Sequence, residues 1–526
     1  MSEKVVESDA ETRAPLAFPT PAILRWLQQQ FGRRVDASSL AFFRIIWGSL
    51  MVYEGFRKLS KVSGIYWPEY FHFKYSLFPF VEPLPEVWMV GVEAWVLIAA
   101  AVLMTLGLGF RAATLVFTLI YSHFFLTDKL YYNNHFYLTI LMNFLLAFTQ
   151  ADRIWSLRAW WRRAQEAGAI PTVPLWNLVI LRGQVMVLYF FGGIAKLNAD
   201  WLHGEPMRFW FAHKQDLIFP LSDLVQQEWF VNFACVGGIV LDLTAGFLLL
   251  HRRTFWLITP VLILFHAMNS QLFKIGIFPL MGIGMIALFF DPTWPRVVLA
   301  WIRGRLGRTA PKPPEALPPR VEPTALGTTL AVVVYLGFQA LWPLRIWSYS
   351  DNPGWTEVGH VFSWRMMLRH KDSYVKFLFD PPEAERLLEE TDQLPRISQT
   401  HVRKMVKSPH FILQYTHALD ATLEKLGRPD VGIGVLAIAS LDGRPYQLLI
   451  DPTVDLTKAS YGWFEVPHWI VQLKPDQRPG LYPETAERRR QMMQAAINDY
   501  RQEHELPPAA QRVPLQPLPE LDEDAY

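Results

Sequence analysis

Asn177–Leu197 reads NLVILRGQVMVLYFFGGIAKL. It is 21 residues long and apolar apart from Asn177, Arg182, Gln184 and Lys196. A helix rises about 1.5 Å per residue, so about 20 apolar residues cross the ~30 Å hydrocarbon core of a bilayer. The run predicts a membrane-spanning helix that ends in a lysine behind two glycines. Eight more apolar runs flank it: Leu40–Phe56, Val87–Leu108, Ala112–Leu126, His135–Phe148, Trp229–Leu250, Phe255–Met268, Ile275–Phe290 and Thr324–Trp347. Several are short for a full crossing, so the expected number of spans is eight or nine.

Composition agrees. The 526-residue chain is 51% hydrophobic and 19% charged, where soluble domains carry about a quarter charged residues. A formal net charge of +2 argues against a polyanionic partner, and no nucleic acid is expected. The single cysteine, Cys235, excludes a disulfide framework and a cysteine-cluster metal site. No HxxxH or HExxH spacing occurs, and no metal is expected.

The expected fold is a polytopic α-helical membrane domain followed by a mixed α/β extracytoplasmic domain with antiparallel strands. Residues 1–38 read as a cytoplasmic tail with an interfacial helix at Pro21–Phe31, and 39–347 as the membrane domain. Residues 348–510 read as the α/β domain and 511–526 as a disordered acidic tail. Arginines such as Arg33, Arg34, Arg158, Arg162, Arg303 and Arg305 fall in loops on one side, which predicts an inside N-terminus. An odd number of spans then puts the C-terminal domain outside. In that domain Phe362–Leu368 and Tyr374–Phe379 are expected strands. Pro382–Asp392, Ser408–Leu426 and Thr485–Tyr500 are expected helices, and Asp442-Gly443 marks a hairpin within Val431–Ile450. Lys312–Pro323 is a proline-rich linker.

Ionisable groups at membrane depth are costly and mark functional candidates. Arg44, Glu93, His123, Arg182, Asp242 and His266 qualify. Arg44 is expected to snorkel, and Arg182 to pair with Asp242. At the outer ends, Asp128–His135, Lys196–Trp201 and His266–Gln271 converge with Glu93 on one face. Any one alone reads as a capped turn; together they read as a site. Covering Lys196 would leave a neutral amine available as a base, and His135 and His266 could carry protons near neutral pH.

At these residues the chain resembles the vitamin K-dependent gamma-glutamyl carboxylase family, with its HTTM-type transmembrane domain. The resemblance is carried by NNHFYL (Asn133–Leu138), KLNADWLHGEPM (Lys196–Met207), LDLTAGFLL (Leu241–Leu249), FHAMNSQLFKIGIFP (Phe265–Pro279) and WPR (Trp294–Arg296). GWTEVGHVFSWRMML (Gly354–Leu368) and IDPTVDL (Ile450–Leu456) continue it. It implies O2-dependent epoxidation of reduced vitamin K, coupled to CO2 addition at the γ-carbon of Glu side chains in a peptide or protein. It implies Lys196 as the base toward the hydroquinone and His135 in the carboxylation half-reaction. Asn134, Asn269, Ser270, Gln271, His266 and Trp201 would form the cofactor pocket. The implied co-substrates are the hydroquinone, O2 and CO2, and the implied surroundings a lipid bilayer.

The chain departs from animal members. The segment after Pro479 is short, the disulfide cysteines are missing, no Asn-x-Ser/Thr sequon occurs, and Asn198 stands where the animal motif has Asp. These features suggest a bacterial homologue in the inner membrane with a periplasmic C-terminal domain. Two other functions stay open on sequence alone: a hydroquinone epoxidase without protein carboxylation, and a non-catalytic membrane binding or transport protein.

Overall fold

The structure, a computed structural model, describes residues 21–162, 171–213, 221–273, 275–307, 321–349, 351–475 and 477–503. The expected acidic tail at 511–526, most of the N-terminal tail and most of the 312–323 linker lie outside them. The amphipathic helix α1 (Ala22–Gly32) leads through β1 (Arg34–Asp36) into α2 (Ser38–Leu59). α3 (Val87–Leu106) and α4 (Phe110–Thr127) follow, then α5 (Asn134–Phe148) and the short surface helix α6 (Leu157–Arg162). β2 (Thr172–Pro174) pairs antiparallel with β1 and starts α7 (Trp176–Lys196). Three short helices lie beyond its end: α8 (Ala199–Leu202), α9 (Met207–Ala212) and α10 (Leu221–Val225). α11 (Glu228–Leu250), α12 (Arg252–Leu272) and α13 (Phe278–Ile286) return to the bundle. α14 (Trp294–Arg305) lies outside it, and α15 (Leu326–Leu341) is the last long helix of the membrane domain.

Among the described residues, six helices are long and apolar enough to cross a membrane: α3, α4, α7, α11, α12, and α15 with its 3-10 continuation to Ser348. α2, with 22 residues, carries Arg44, Glu54, Arg57 and Lys58, while α5 and α13 have 15 and 9 residues. These three pack within the same bundle. α11 shows how one helix serves both surroundings. Val231, Cys235, Ile239, Asp242 and Leu249 are buried, while Phe233, Val236, Val240 and Phe247 are exposed on the other side. Both sets recur every three to four residues, the signature of a helix with a protein face and a lipid face.

Helix association in lipid gains little from hydrophobicity and depends on close contact. A Cβ at Gly193 of α7 would lie 2.8 Å from the backbone nitrogen of Leu243 in α11. One at Gly246 of α11 would lie 3.1 Å from Cα of Met186 in α7. The glycines therefore set the approach of these two helices.

Two expected side-chain roles are corrected. Arg44 does not snorkel. It is fully buried and donates to the carbonyls of Ala151 (3.1 Å) and Trp155 (2.5 Å). Arg182 does not meet Asp242. Its Nε donates to the Leu288 carbonyl at 2.7 Å, and its partners lie where α13 ends. Helix ends leave carbonyls without intrahelical donors, and a guanidinium satisfies several at once.

In the C-terminal domain, β3 (Lys371–Asp380), β4 (Gly432–Leu441) and β5 (Gln447–Ile450) form an antiparallel sheet in that order. The turn between β4 and β5 has left-handed φ at Asp442 (52°) and Gly443 (73°), as an Asp-Gly hairpin requires. Between α15 and β3 comes the short α16 (Pro353–Thr356). α17 (Ala384–Glu390), α18 (Gln399–Met405) and α19 (Pro409–Lys425) follow β3, and α20 (Ala486–Glu503) follows β5. Ile412, Leu419 and Leu423 of α19 bury one sheet face with Ile433, Val435 and Ala437. Met493 and Ile497 of α20 bury the other with Leu436, Ile438 and Leu448.

Phe362–Leu368 is not a strand. Phe362, Trp364 and Met367 take left-handed φ of 59°, 56° and 50°, and Trp364 is fully buried 4.9 Å from the Tyr137 ring of α5. The alternation of large and polar residues looks like a strand in sequence. Here it serves a segment with no strand beside it that plugs the top of the bundle.

Candidate functional site

Lys196 is the last residue of α7, and it is buried. Its Nζ donates to Asp242 Oδ2 of α11 at 2.7 Å and to the Gly192 carbonyl at 3.2 Å. It also sits 5.4 Å above the Trp201 ring. Trp201 is fixed by its indole N–H, which donates to the Cys235 carbonyl of α11 at 2.9 Å. The glycine contacts explain why the pair meets. A Cβ at Gly192 would sit 3.5 Å from Asp242 Oδ2 and 3.2 Å from Met366 of the plug segment. An ammonium and a carboxylate, both desolvated, tolerate this placement only because each satisfies the other.

Two turns back along α7, Tyr189 and His266 of α12 hydrogen-bond at 2.7 Å between the Tyr hydroxyl and Nε2. His266 is fully buried, and its Nδ1 has no hydrogen-bond partner among the described residues. Its ring lies against Gly282, where a Cβ would meet it at 2.3 Å. His135, at the start of α5, approaches the same aromatic ring from another direction. The Phe278 ring centroid is 6.1 Å from that of His135 and 5.8 Å from that of His266. Among the described residues neither ring nitrogen of His135 has a hydrogen-bond partner.

Asn134 faces the C-terminal domain. It donates to the Arg365 carbonyl at 2.8 Å and accepts from the Tyr132 hydroxyl at 3.0 Å. Asn269 is half-buried, while Ser270 and Gln271 are exposed. Ser270 donates to the Ala267 carbonyl of its own helix at 2.6 Å.

A cavity of about 390 Å³ lies between the end of α7 and the C-terminal domain. Phe191, Ile194, Leu197, Ile346 and Trp347 make its apolar side. Asp200, Arg365, Arg369, Asp442 and Arg444 make its polar side. Lys196 turns away from it toward α11, while its neighbours Ala195 and Leu197 line it. Arg444 grips Asp200 with two bonds of 2.5 and 3.0 Å, joining the α/β domain to the membrane domain. Arg369 holds Glu357 at 2.7 Å. The Arg365 side chain has no hydrogen-bond or ion-pair partner among the described residues. Burial, then the neighbouring Arg369, lowers its pKa to about 10, so it stays cationic at neutral pH. Burial raises the Asp442 carboxyl well above the usual carboxylate range, against the His370 N–H that donates to it at 2.6 Å.

An HTTM domain model matches residues 32–294, and the lumenal domain of vitamin K-dependent gamma-carboxylase matches residues 325–476. The chain belongs to the vitamin K-dependent gamma-carboxylase family. No solved structure matches it. It is a multi-pass membrane member of the family, and α20 lies beyond the lumenal-domain match.

In this carboxylase-family chain the sequence reading missed three features. Asp242 was assigned the wrong partner. Glu54 lies within the apolar run Leu40–Phe56 and Lys58 just past it, and neither is singled out in the sequence; both are buried in α2, where Lys58 Nζ donates to Tyr66 at 2.7 Å and lies 4.1 Å from the Phe136 ring centroid. The arginines of the cavity are not among the residues the sequence singles out. The signal for Glu54 and Lys58 was their helical spacing: they lie four residues apart, in phase with the buried Trp47 and Met51.

Proposed function

We propose that the protein couples O2-dependent epoxidation of a reduced quinone of the vitamin K type to carboxylation of Glu side chains in a peptide. The proposed setting is a bacterial inner membrane, with the C-terminal domain on the extracytoplasmic side. One observation carries the proposal: a lysine buried against a carboxylate at the end of a membrane helix, flanked by residues that line an arginine-bearing cavity.

The residues suit a flat lipophilic diol. Aromatic rings surround them, and the donors and acceptors are few: Lys196, Asn134, His135 and His266, the last with an unpartnered buried nitrogen. When bound with O2, the hydroquinone supplies reducing equivalents and a base stronger than any side chain, which removal of a Glu γ-proton requires. Lys196 first passes its ammonium proton to Asp242 at 2.7 Å, and the neutral amine then takes up a hydroxyl proton at Nζ, its new charge offset by the one left on the diol oxygen. Gly192 and Gly193 keep α7 close to its neighbours and water out, which protects a reactive base from quenching. Arg365 and Arg369 hold substrate carboxylate through charge-assisted bonds. His135, whose ring nitrogens are free, exchanges a proton in the carboxylation half.

The test is to incubate detergent-purified protein with reduced vitamin K, O2, labelled CO2 and a Glu peptide, and to follow both products. Wild type should form epoxide and labelled peptide together. Epoxide without label would leave an epoxidase alone. The absence of both from a folded preparation would end the proposal.

A further inference from the structure

Three helices at the face opposite the C-terminal domain share an unusual composition. They are α1 (AILRWLQQQFG), α6 (LRAWWR) and α14 (WPRVVLAWIRGR). None contains an Asp or Glu, each carries arginine, and each exposes tryptophan: Trp26, Trp160, Trp161 and Trp301. Their anchorage puts them at one end of the bundle. The Gln28 side chain donates to the Thr324 carbonyl before α15 at 3.0 Å. The carbonyls of Ala151 and Trp155, between α5 and α6, hold Arg44. Trp294 packs edge-on against Phe42 at 4.7 Å, and Arg296 holds Asp36 at 2.8 Å.

Beyond that anchor α14 has almost no protein partner. Pro295 is its one buried residue, while Val297, Val298, Trp301, Ile302 and Leu306 are all exposed. On a helical wheel these apolar residues form one broad stripe. Arg296 and Arg303 lie on the other side, and Arg305 reaches over the Trp301 ring at 5.2 Å from its centroid. An apolar stripe flanked by arginine and tryptophan is the pattern of a helix lying in the headgroup layer. A zwitterionic surface would satisfy the stripe alone. The charges call for more: among the described residues Arg25, Arg162, Arg303 and Arg305 have no carboxylate partner. Arg252 and Arg253 at the start of α12 are exposed on the same face.

We propose that this face is a docking surface for anionic phospholipid, with α1, α6 and α14 as a collar whose tryptophans enter the headgroup region and whose free arginines hold lipid phosphates. The inference is independent of the reaction at Lys196 and of which side of the membrane this face occupies.

The experiment is native mass spectrometry of the full-length protein in detergent, titrated with phosphatidylglycerol and with phosphatidylcholine. Each arginine near an anionic surface contributes about 1 kcal/mol, so wild type should retain phosphatidylglycerol at least roughly tenfold better than phosphatidylcholine. The preference should shrink in high salt, which screens exposed charge. The triple variant R162Q/R303Q/R305Q removes exposed side chains that have no carboxylate partner among the described residues and should keep a near wild-type melting temperature while losing most of the preference. R386Q, at an exposed arginine of α17 in the C-terminal domain, should keep it. Equal retention of the two lipids by wild type would overturn the inference. So would an unchanged preference in the triple variant, an equal loss in R386Q, or displacement of phosphatidylglycerol by inorganic phosphate at matched concentration.

Discussion

The two ends of the bundle bury cations in opposite ways. At the α1 end, Arg44 and Arg182 donate to carbonyls, and neither touches an acid. At the end beside the C-terminal domain, Lys196 donates to the carboxylate of Asp242. A carbonyl cannot accept a proton outright, so a guanidinium held by carbonyls is a fixed rivet. A lysine held by a carboxylate can pass a proton to it and keep the pair's charge unchanged. Arginine suits the first task because it stays charged, and lysine the second because it does not have to. On the proposed function, the same bilayer thickness contains a structural end and a chemical end, told apart by the partner of the buried cation.

The most severe way to test this contrast is at the chemical end. K196A should lower epoxide and carboxylated peptide together, per folded molecule, by at least roughly 100-fold, the usual contribution of a positioned base, and should also lower the melting temperature because Asp242 is left buried without its partner. If turnover survives, the lysine is only another rivet. R44M should act on stability alone. It strips donors from two buried carbonyls and should cost about 2–4 kcal/mol in unfolding free energy, read from denaturant titration in detergent, with activity per folded molecule retained. G193A asks whether the α7–α11 approach matters. Its Cβ would press on the Leu243 backbone and should cost about 1–3 kcal/mol, with lowered turnover as Lys196 and Asp242 separate.

The smallest effect is a pH dependence outside the membrane. Burial lowers Lys371, in β3, to about 7 from its usual 10.5. The unfolded chain therefore binds the extra proton between those values, and stability contributed through Lys371 rises with pH across that window. Melting temperatures measured at pH 6 and pH 9 should differ less in K371M than in wild type. An identical pH slope would mean that Lys371 stays charged in the folded protein.

Much of the fold was legible because hydrophobic run length is a strong signal. The long spans lie near their predicted positions, as do α19, α20 and the Asp442-Gly443 hairpin. Pairing between helices was less legible. Arg182 and Asp242 were matched because both were charged at membrane depth, yet choosing among partners depends on helix rotation and crossing, which composition does not encode. Phe362–Leu368 misled for a related reason: alternating side chains describe any extended segment with two different sides. Lys196 and His135 stood out through their motifs. The Asp242 contact and the unpartnered Arg365 needed coordinates, because an arginine looks alike in sequence whether or not a carboxylate waits for it.

The lone Cys235 has a practical consequence. It is buried in α11 with 1% of its surface exposed, so the native protein is nearly blank to thiol reagents. A cysteine introduced at an exposed site such as position 303 or 386 would be the dominant labelled position. A membrane-impermeant maleimide applied to intact cells would then report, one variant at a time, which end of the bundle faces out.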